Sequence, residues 1–377
     1  MSAPSVPEST SEERARELVI RIARALGEMG PPGWQELSAV FTMTVALGGG
    51  QVNYVDAEEQ VLQASVPEDV LALAAEQRVV SADAGDGPWW RLLMRLDTEG
   101  ELEVDYDYGD DPFPDDQLFA PEAYLADLAE YPRRELPMWL SAYLFHDDRQ
   151  TRSPAVAAER ARADRESGTA AVATHDELPE LPAIWVRWTV LSAAFVAVRS
   201  EWGPRIMPSF GWFEGAQRSG ATLYLLPRAR AVLSGGVWEA DALRAAYRNG
   251  SELPPVYAGA PAWVTDQVLN ARAATGMVSF CYWWLEDRWY RGAGSETDRI
   301  DEAMPGIWSD DAAELVVRGL IGAGPGSLAA DHVADLLVAA YEGALTRGHV
   351  LAVFGADADI DSAMHQLTMS GAAIVEP

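Results

Sequence analysis

The chain has 377 residues, and its 28 basic and 58 acidic side chains give a formal net charge of −30 at pH 7. All 28 basic residues are arginine. This excludes Schiff-base enzymes, lysine general bases and nucleotide-binding loops that use a Walker lysine. The pI near 4.4 disfavours binding to nucleic acid and to anionic membranes, so the partner that we expect is a basic protein.

The composition is typical of a globular protein, with 49% hydrophobic and 23% charged residues. A chain of this length exceeds what one hydrophobic core usually serves, so we expect two domains. No apolar run reaches the roughly 20 residues that span a bilayer. Residues 1–10 lack the basic and apolar regions of a secretory signal, and the single cysteine, Cys281, allows no internal disulfide. We therefore expect a cytoplasmic protein that does not bind membranes.

In the first half of the chain, the hydrophobic pattern predicts helices alternating with strands. Residues 1–11 are rich in Ser, Pro and Glu and predict a disordered leader. The elements predicted next are a helix at 12–29, a hairpin of strands 41–47 and 51–55 closed by the glycines at 48–50, a helix at 67–77, strands at 88–96 and 102–108 joined by a tight turn at 97–100, a helix at 121–131, and a final segment at 135–145. Together they predict an α+β module over residues 12–146 with an antiparallel sheet packed by helices.

The second half predicts another module of the same class. Residues 147–181 are rich in Ala, Arg and Glu and predict a charged linker with a helical stretch at 155–166. Ten of the fourteen tryptophans lie between Trp185 and Trp308, in a Trp-rich α+β module predicted over 182–326. Its predicted elements are helices at 183–202, 239–247 and 310–321, a strand at 221–226, and a hairpin of 277–284 and 288–291. Residues 327–377 predict a C-terminal helical cap, with helices at 331–347 and from Asp359 or Asp361.

Residues 89–108 are the most distinctive part of the sequence. Trp89 and Trp90 precede a hydrophobic strand, a turn of the type Asp-x-x-Gly follows at 97–100, and the next strand ends with Asp-Tyr-Asp-Tyr. This order resembles the YezG-like immunity proteins, which are antitoxins, and the resemblance covers residues 11–144, including Trp34 and Trp139. It implies a protein that binds and blocks a secreted polymorphic toxin, often a basic nuclease. It implies no catalytic residue.

The strand that begins at Glu101 carries a row of carboxylates. Alternation places the side chains of Glu101, Glu103, Asp105 and Asp107 on one face and the apolar and aromatic residues on the other. The row is either the solvated face of a half-buried strand or a docking surface for a basic toxin, extended by Asp110 and Asp111. A metal site is a weaker alternative, because the loop at 110–116 lacks the glycine and closing glutamate of an EF-hand. We predict no metal and no cofactor.

Aromatic side chains next to this row are candidate anchors for the partner. These are Trp89, Trp90, Tyr106 and Tyr108, each of which belongs either to the interface or to the core. A candidate second partner site is Arg288-Trp289-Tyr290-Arg291, for which an intramolecular stack is the alternative.

Other chemistries have little support. The histidines lack zinc-binding spacing, and no Gly-x-Ser-x-Gly elbow marks a nucleophile. Cys281 lies in an apolar strand and is predicted to be buried and inert, and the glycine-rich run at 319–326 follows a helix and predicts its end.

The leading hypothesis is a non-enzymatic immunity protein. Residues 1–146 contain 9 arginines and 28 carboxylates, a difference of −19, so most of the charge lies in the family-like module. Two alternatives stay open. One is an enzyme with a pocket in the Trp-rich module that uses Glu286, Asp287, Asp298 or Asp301 as acid or base. The other is a protein-binding adaptor without a toxin partner.

Overall fold

The computed structural model describes residues 11–82, 87–324 and 327–372. The chain divides into two compact units, Met1–Phe145 and His146–Pro377. Each unit has the predicted α+β fold, with an antiparallel sheet packed against helices. The predicted leader at 1–11 lies outside the described residues except for Ser11, which begins the first helix.

The first unit is built on a five-stranded sheet in the order β3-β2-β1-β4-β5, so β3 and β5 are its edges. The strands are β1 (Trp34–Met43), β2 (Gly48–Asp56), β3 (Val61–Ser65), β4 (Arg91–Asp97) and β5 (Leu102–Asp107). The helices are α1 (Ser11–Met29), α2 (Glu68–Ser81), α3 (Pro121–Glu130) and α4 (Met138–Phe145). The buried side chains of α1 and α2 form one hydrophobic core with those of β1, β2 and β4.

The first hairpin confirms one prediction and corrects another. Strands β1 and β2 pair as a hairpin, but Gly48 to Gly50 belong to β2 and do not form the turn. The turn begins at Thr44, whose hydroxyl oxygen accepts hydrogen bonds from the backbone N–H groups of Ala46 and Leu47. A Cβ atom at Gly50 would lie 3.0 Å from Val66, so the glycine provides room for neighbouring side chains. The sequence pattern therefore predicted Gly50 as part of a turn, whereas the structure requires a glycine there for close packing.

The second unit is built on a seven-stranded antiparallel sheet in the order β6-β12-β11-β10-β9-β8-β7. The strands are β6 (Val172–Ala173), β7 (Gly203–Met207), β8 (Phe210–Glu214), β9 (Gly220–Leu226), β10 (Arg230–Gly236), β11 (Phe280–Leu285) and β12 (Arg288–Arg291). The predicted strand at 221–226 and the predicted hairpin at 277–291 are confirmed as β9 and as β11 with β12. Strands β6, β7, β8 and β10 were not predicted.

The helices of the second unit are α5 (Pro154–Ser167), α6 (Leu181–Ala197), α7 (Asp241–Asn249), α8 (Asp310–Ile321), α9 (Leu328–Tyr341), α10 (Arg347–Phe354) and α11 (Ile360–Ser370). Helix α6 packs against β7, α8, α9 and α11. It ends earlier than predicted, because Arg199 adopts a left-handed backbone conformation with φ of 57°. Gly322 ends α8 with φ of 65°, as the glycine-rich run predicts, whereas residues 325 and 326 lie outside the described part.

The segment 147–181, predicted as a linker, holds α5 and β6 in the structure. The Ser153 side chain caps α5 by accepting a hydrogen bond from the Val156 N–H. The Asp164 carboxylate accepts a hydrogen bond of 2.8 Å from the Gly259 N–H, and β6 pairs with β12. This charged segment is therefore ordered by contacts within the second unit.

The predicted C-terminal cap at 327–377 forms α9, α10 and α11, and residues 373–377 lie outside the described part. Asp359 is the N-cap of α11 and accepts a hydrogen bond from the Ser362 N–H, so of the two predicted starts the earlier one is right. Among the helices that the structure describes, none has both the length and the apolar character needed to cross a bilayer.

Candidate partner-binding surface

The edge strand β5 displays the predicted row of carboxylates. Glu101, Glu103 and Asp105 are exposed, whereas Leu102 and Val104 between them are half-buried against the core. Among the described residues, no arginine pairs with these three carboxylates. The prediction that they share one solvent-facing side of the strand is confirmed.

Asp107 differs from the rest of the row. Its carboxylate lies 2.8 Å from the Arg91 guanidinium and also accepts a hydrogen bond of 2.7 Å from the Gly109 N–H. The Arg91 guanidinium in turn lies 5.5 Å from the centre of the Phe113 ring. Asp107 therefore fixes the start of the following loop, so this member of the six carboxylates predicted to bind the partner is already paired within the unit.

The outer face of the sheet around β5 has a strong negative excess. It carries Glu36, Asp97, Glu101, Glu103, Asp105 and Asp107 against Arg91 and Arg95, which is six carboxylates against two guanidinium groups. Arg95 pairs with Glu36 at 3.0 Å, so neither arginine neutralises the exposed part of the row. Complementary charge on a partner would raise the rate of association and favour one orientation.

Trp89 and Trp90 belong to the core. Both side chains are 0% exposed, so neither can contact a partner without opening the fold. The Trp90 indole N–H donates to the Asp127 carboxylate at 2.9 Å, and the Trp89 indole N–H donates to the Gln77 side-chain oxygen at 2.6 Å. Their prediction as partner anchors is wrong, because helices α2 and α3 provide polar acceptors that satisfy both rings internally.

The two tyrosines lie at the other face of β5. The Tyr106 hydroxyl accepts a hydrogen bond of 3.0 Å from the Gln77 amide, and burial raises the pKa of this tyrosine. Tyr108 is 38% exposed. Tyr106 is thus mainly structural, whereas Tyr108 presents part of its ring to solvent.

A groove of about 1110 Å³ opens between α1 and this inner face of β5. Its apolar lining comes from Val19, Ile20, Ala23, Leu96, Leu102, Val104, Tyr106 and Tyr108. Arg16, Arg24 and Glu12 contribute the charged groups. The sequence prediction missed the groove, although one signal for it existed: Ile20 is apolar and part of the helical pattern, yet it is 46% exposed.

The Asp-rich loop after β5 is held in place by aromatic side chains. Gly109 accepts a hydrogen bond of 2.7 Å from the Trp139 indole N–H, and Phe113 is buried against Trp139 and Trp90. Asp110 and Asp111 are exposed at the start of this loop. The loop therefore presents both carboxylates from a fixed backbone next to the row on β5.

Other candidate sites are not supported. In the described part of the chain, no group of three or more His, Cys, Asp or Glu side chains is placed to hold a metal ion. The four carboxylates named for the enzyme alternative, Glu286, Asp287, Asp298 and Asp301, are all exposed, and the first two form the turn between β11 and β12. That alternative required a deep pocket around them, so it loses its structural support.

Three of the four side chains in the run 288–291 find their contacts within the second unit. Trp289 is buried and its indole N–H donates to the Pro179 carbonyl at 2.8 Å. Arg291 forms a two-point ion pair with Glu177, at 2.7 Å and 3.1 Å. Tyr290 stacks on Trp283. The intramolecular alternative is therefore right for these three residues, and only Arg288 is exposed. Cys281 is fully buried as predicted, and burial raises the pKa of its thiol.

Comparison with known proteins adds no family to this description. No family model matches the chain, and no curated protein matches it. The resemblance of residues 11–144 to the YezG-like immunity proteins therefore stays a prediction.

Proposed function

We propose that the chain is an immunity protein that binds and neutralises a basic protein toxin. The observation that carries the proposal is the exposed row of Glu101, Glu103 and Asp105 on an edge strand, in a unit whose sequence resembles the YezG-like antitoxins. Asp110 and Asp111 extend this surface through the fixed loop. The toxin would be inhibited because the protein covers its active site or the approach to that site.

The charge pattern supports a basic protein as the partner. A net charge of −30 repels phosphate backbones, so nucleic acid is a poor ligand, whereas a basic nuclease has a surface of the opposite sign. The toxin would be secreted by a neighbouring cell and meet this protein in the cytoplasm. No catalytic group is required for this function.

Co-expression with the toxin encoded beside the gene tests the proposal. We expect the wild-type chain to restore growth, and full toxicity in the presence of folded protein would contradict the proposal. The variant Glu101→Gln/Glu103→Gln/Asp105→Asn should protect less well, because it removes three exposed charges that form no ion pair within the described residues. The matched control is Asp287→Asn/Asp298→Asn/Asp301→Asn, which removes three exposed charges from the second unit and should protect fully.

The adaptor alternative makes a different prediction. A protein-binding adaptor without a toxin partner would lie in a genomic neighbourhood that encodes no secreted toxin, and the row on β5 would serve another basic protein.

A further inference from the structure

Strand β5 has an open backbone edge. The Asp97 N–H donates to the Glu101 carbonyl, and the register pairs residues 103, 105 and 107 with Arg95, Leu93 and Arg91. Because hydrogen-bonded pairs alternate along an antiparallel ladder, these odd-numbered residues bond to β4. The N–H and C=O groups of Leu102, Val104 and Tyr106 therefore point away from the sheet. No other strand of the described residues pairs with this side of β5.

This open edge lies between two different rows of side chains. On the outer face are the exposed carboxylates of Glu101, Glu103 and Asp105. On the inner face, Leu102, Val104 and Tyr106 border the groove of about 1110 Å³ next to α1. A strand added to β5 would place alternate side chains against the carboxylates and into the groove.

We infer that the toxin contributes an extended segment with alternating basic and apolar residues, which pairs with β5 as a sixth strand of the sheet. The inference rests on the proposed function and names the part of the partner that binds. Main-chain hydrogen bonds would give affinity, and the two side-chain rows would select the partner. Basic side chains would face the carboxylates and apolar side chains would enter the groove.

Charge excludes a second copy of this chain as the occupant. Two β5 strands paired antiparallel about Val104 would bring Glu103 of one copy opposite Asp105 of the other, on the same face. Like charges directly opposite each other destabilise a strand pair. Residues 1–10 of the chain fit no better, because they include two prolines, one acidic residue and no basic residue.

The opposite edge of the sheet lacks these features. Strand β3 places Val61, Gln63 and Ser65 on one face and Leu62 and Ala64 on the other, with no charge on either. The Asp56 N–H donates to the Gln60 carbonyl, so by the same alternation the N–H of Gln63 points away from the sheet. Gln63 therefore matches Val104 in backbone geometry, although the Gln63 side chain is exposed whereas that of Val104 packs against the core.

Backbone substitution tests the inference. Val104→Pro removes an outward N–H without removing a bond to β4, and Gln63→Pro makes the same change at the other edge. The probe is the toxin encoded beside the gene, titrated calorimetrically into the full chain. We expect Val104→Pro to raise the Kd at least about tenfold and Gln63→Pro to leave it unchanged. Equal binding by both variants, or a loss only in Gln63→Pro, would overturn the inference.

Hydrogen exchange provides a second readout. Because it uses the wild-type chain, a folding defect of a variant does not affect it. We expect the amides of Leu102, Val104 and Tyr106 to exchange at least about tenfold more slowly in the toxin complex than in the free protein. Unchanged exchange in a saturated complex would overturn strand addition and leave the proposed function intact. An absence of toxin binding by the wild-type chain would instead overturn the proposed function itself.

Discussion

The Arg78 guanidinium donates to both carboxylate oxygens of Asp127, each at 2.8 Å, inside the first unit. The same carboxylate accepts hydrogen bonds from the Trp90 indole and from the Val45 N–H. Arg78 also donates to the Trp89 carbonyl at 2.8 Å. This buried pair joins α2 and α3 to the segment just before β4, and it binds the Trp89 carbonyl and the Trp90 indole in the interior. Trp90 is therefore unavailable to a partner, and the exposed side chains of the row on β5 are carboxylates.

Removing the charge of Asp127 should strongly destabilise the first unit. The side chains of Arg78 and Asp127 are 5% and 0% exposed, so Asp127→Asn leaves a buried guanidinium without its counterion. Breaking a buried ion pair on one side costs about 3–5 kcal/mol of the free energy of unfolding. Denaturant unfolding, monitored through hydrogen exchange of the β4 amides, measures the free energy of unfolding of the first unit separately. In the control Glu36→Gln, which affects an exposed pair with Arg95, the change should stay within about 1 kcal/mol. Equal effects of the two variants would contradict the prediction.

Gly109 should be replaceable only at a high cost in stability. Its φ is 85°, and a Cβ atom there would lie 3.1 Å from the Trp90 ring. Gly100 has a similar φ of 89° but open space around it, so Gly100→Ala measures the backbone cost alone, about 1–2 kcal/mol. We expect Gly109→Ala to lower the free energy of unfolding by at least about 1 kcal/mol more than Gly100→Ala, because it also overpacks the aromatic cluster. Chemical denaturation of the three proteins checks this, and equal losses would show that the loop moves away freely.

Asp310 should make the stability of the second unit depend on pH. Burial alone would raise the pKa of its carboxyl, but hydrogen bonds from Arg187 and Tyr341 outweigh burial and hold the pKa below its ordinary value. The stabilisation is therefore present above the unfolded pKa of about 3.9 and is lost as the pH falls through the lower folded pKa. We expect Asp310→Asn to be less stable than wild type at neutral pH, with a difference that shrinks in acid.

The control for this prediction is Asp311→Asn, which removes the neighbouring charge from the same first turn of α8. Urea midpoints of the second unit at neutral pH and at a pH below 4 would give the comparison. A difference between wild type and Asp310→Asn that stays constant with pH would contradict the assignment.

Cys281 should react with thiol reagents only after the second unit opens. The side chain is 0% exposed, and burial raises the pKa of the thiol, so little thiolate forms and little reagent reaches it. We expect labelling by an aromatic disulfide to be at least about a hundredfold slower in the native protein than in urea. Because the chain has a single cysteine, the unfolded protein is its own control, and fast native labelling would contradict the burial of β11.

Several elements could be predicted from the sequence because their signals are local. Helix α8 begins after the capping side chain of Ser309 and ends at Gly322, and both signals are in the sequence. Strand β5 alternates acidic with apolar residues, which fixes the two faces whatever the strand pairs with.

Other strands could not be predicted because their residue types alone do not indicate a strand. Strand β3 lies at an edge of the sheet. Its apolar residues Val61 and Leu62 are 66% and 54% exposed, so they do not mark a buried face of the strand. Strand β7 contains Pro204, which is tolerated because β7 is an edge strand. Whether a strand lies at an edge depends on the order of the whole sheet.

The sequence by itself determined the negative charge, the α+β class and the carboxylate row of Glu101, Glu103 and Asp105. Only the tertiary structure decided which neighbours these residues have. Asp107 is paired because Arg91 lies directly opposite it on the neighbouring strand β4, and Trp90 is buried because Asp127, 37 residues away, accepts its N–H. Composition and alternation are properties of the chain, whereas pairing and burial depend on residues that are distant in sequence.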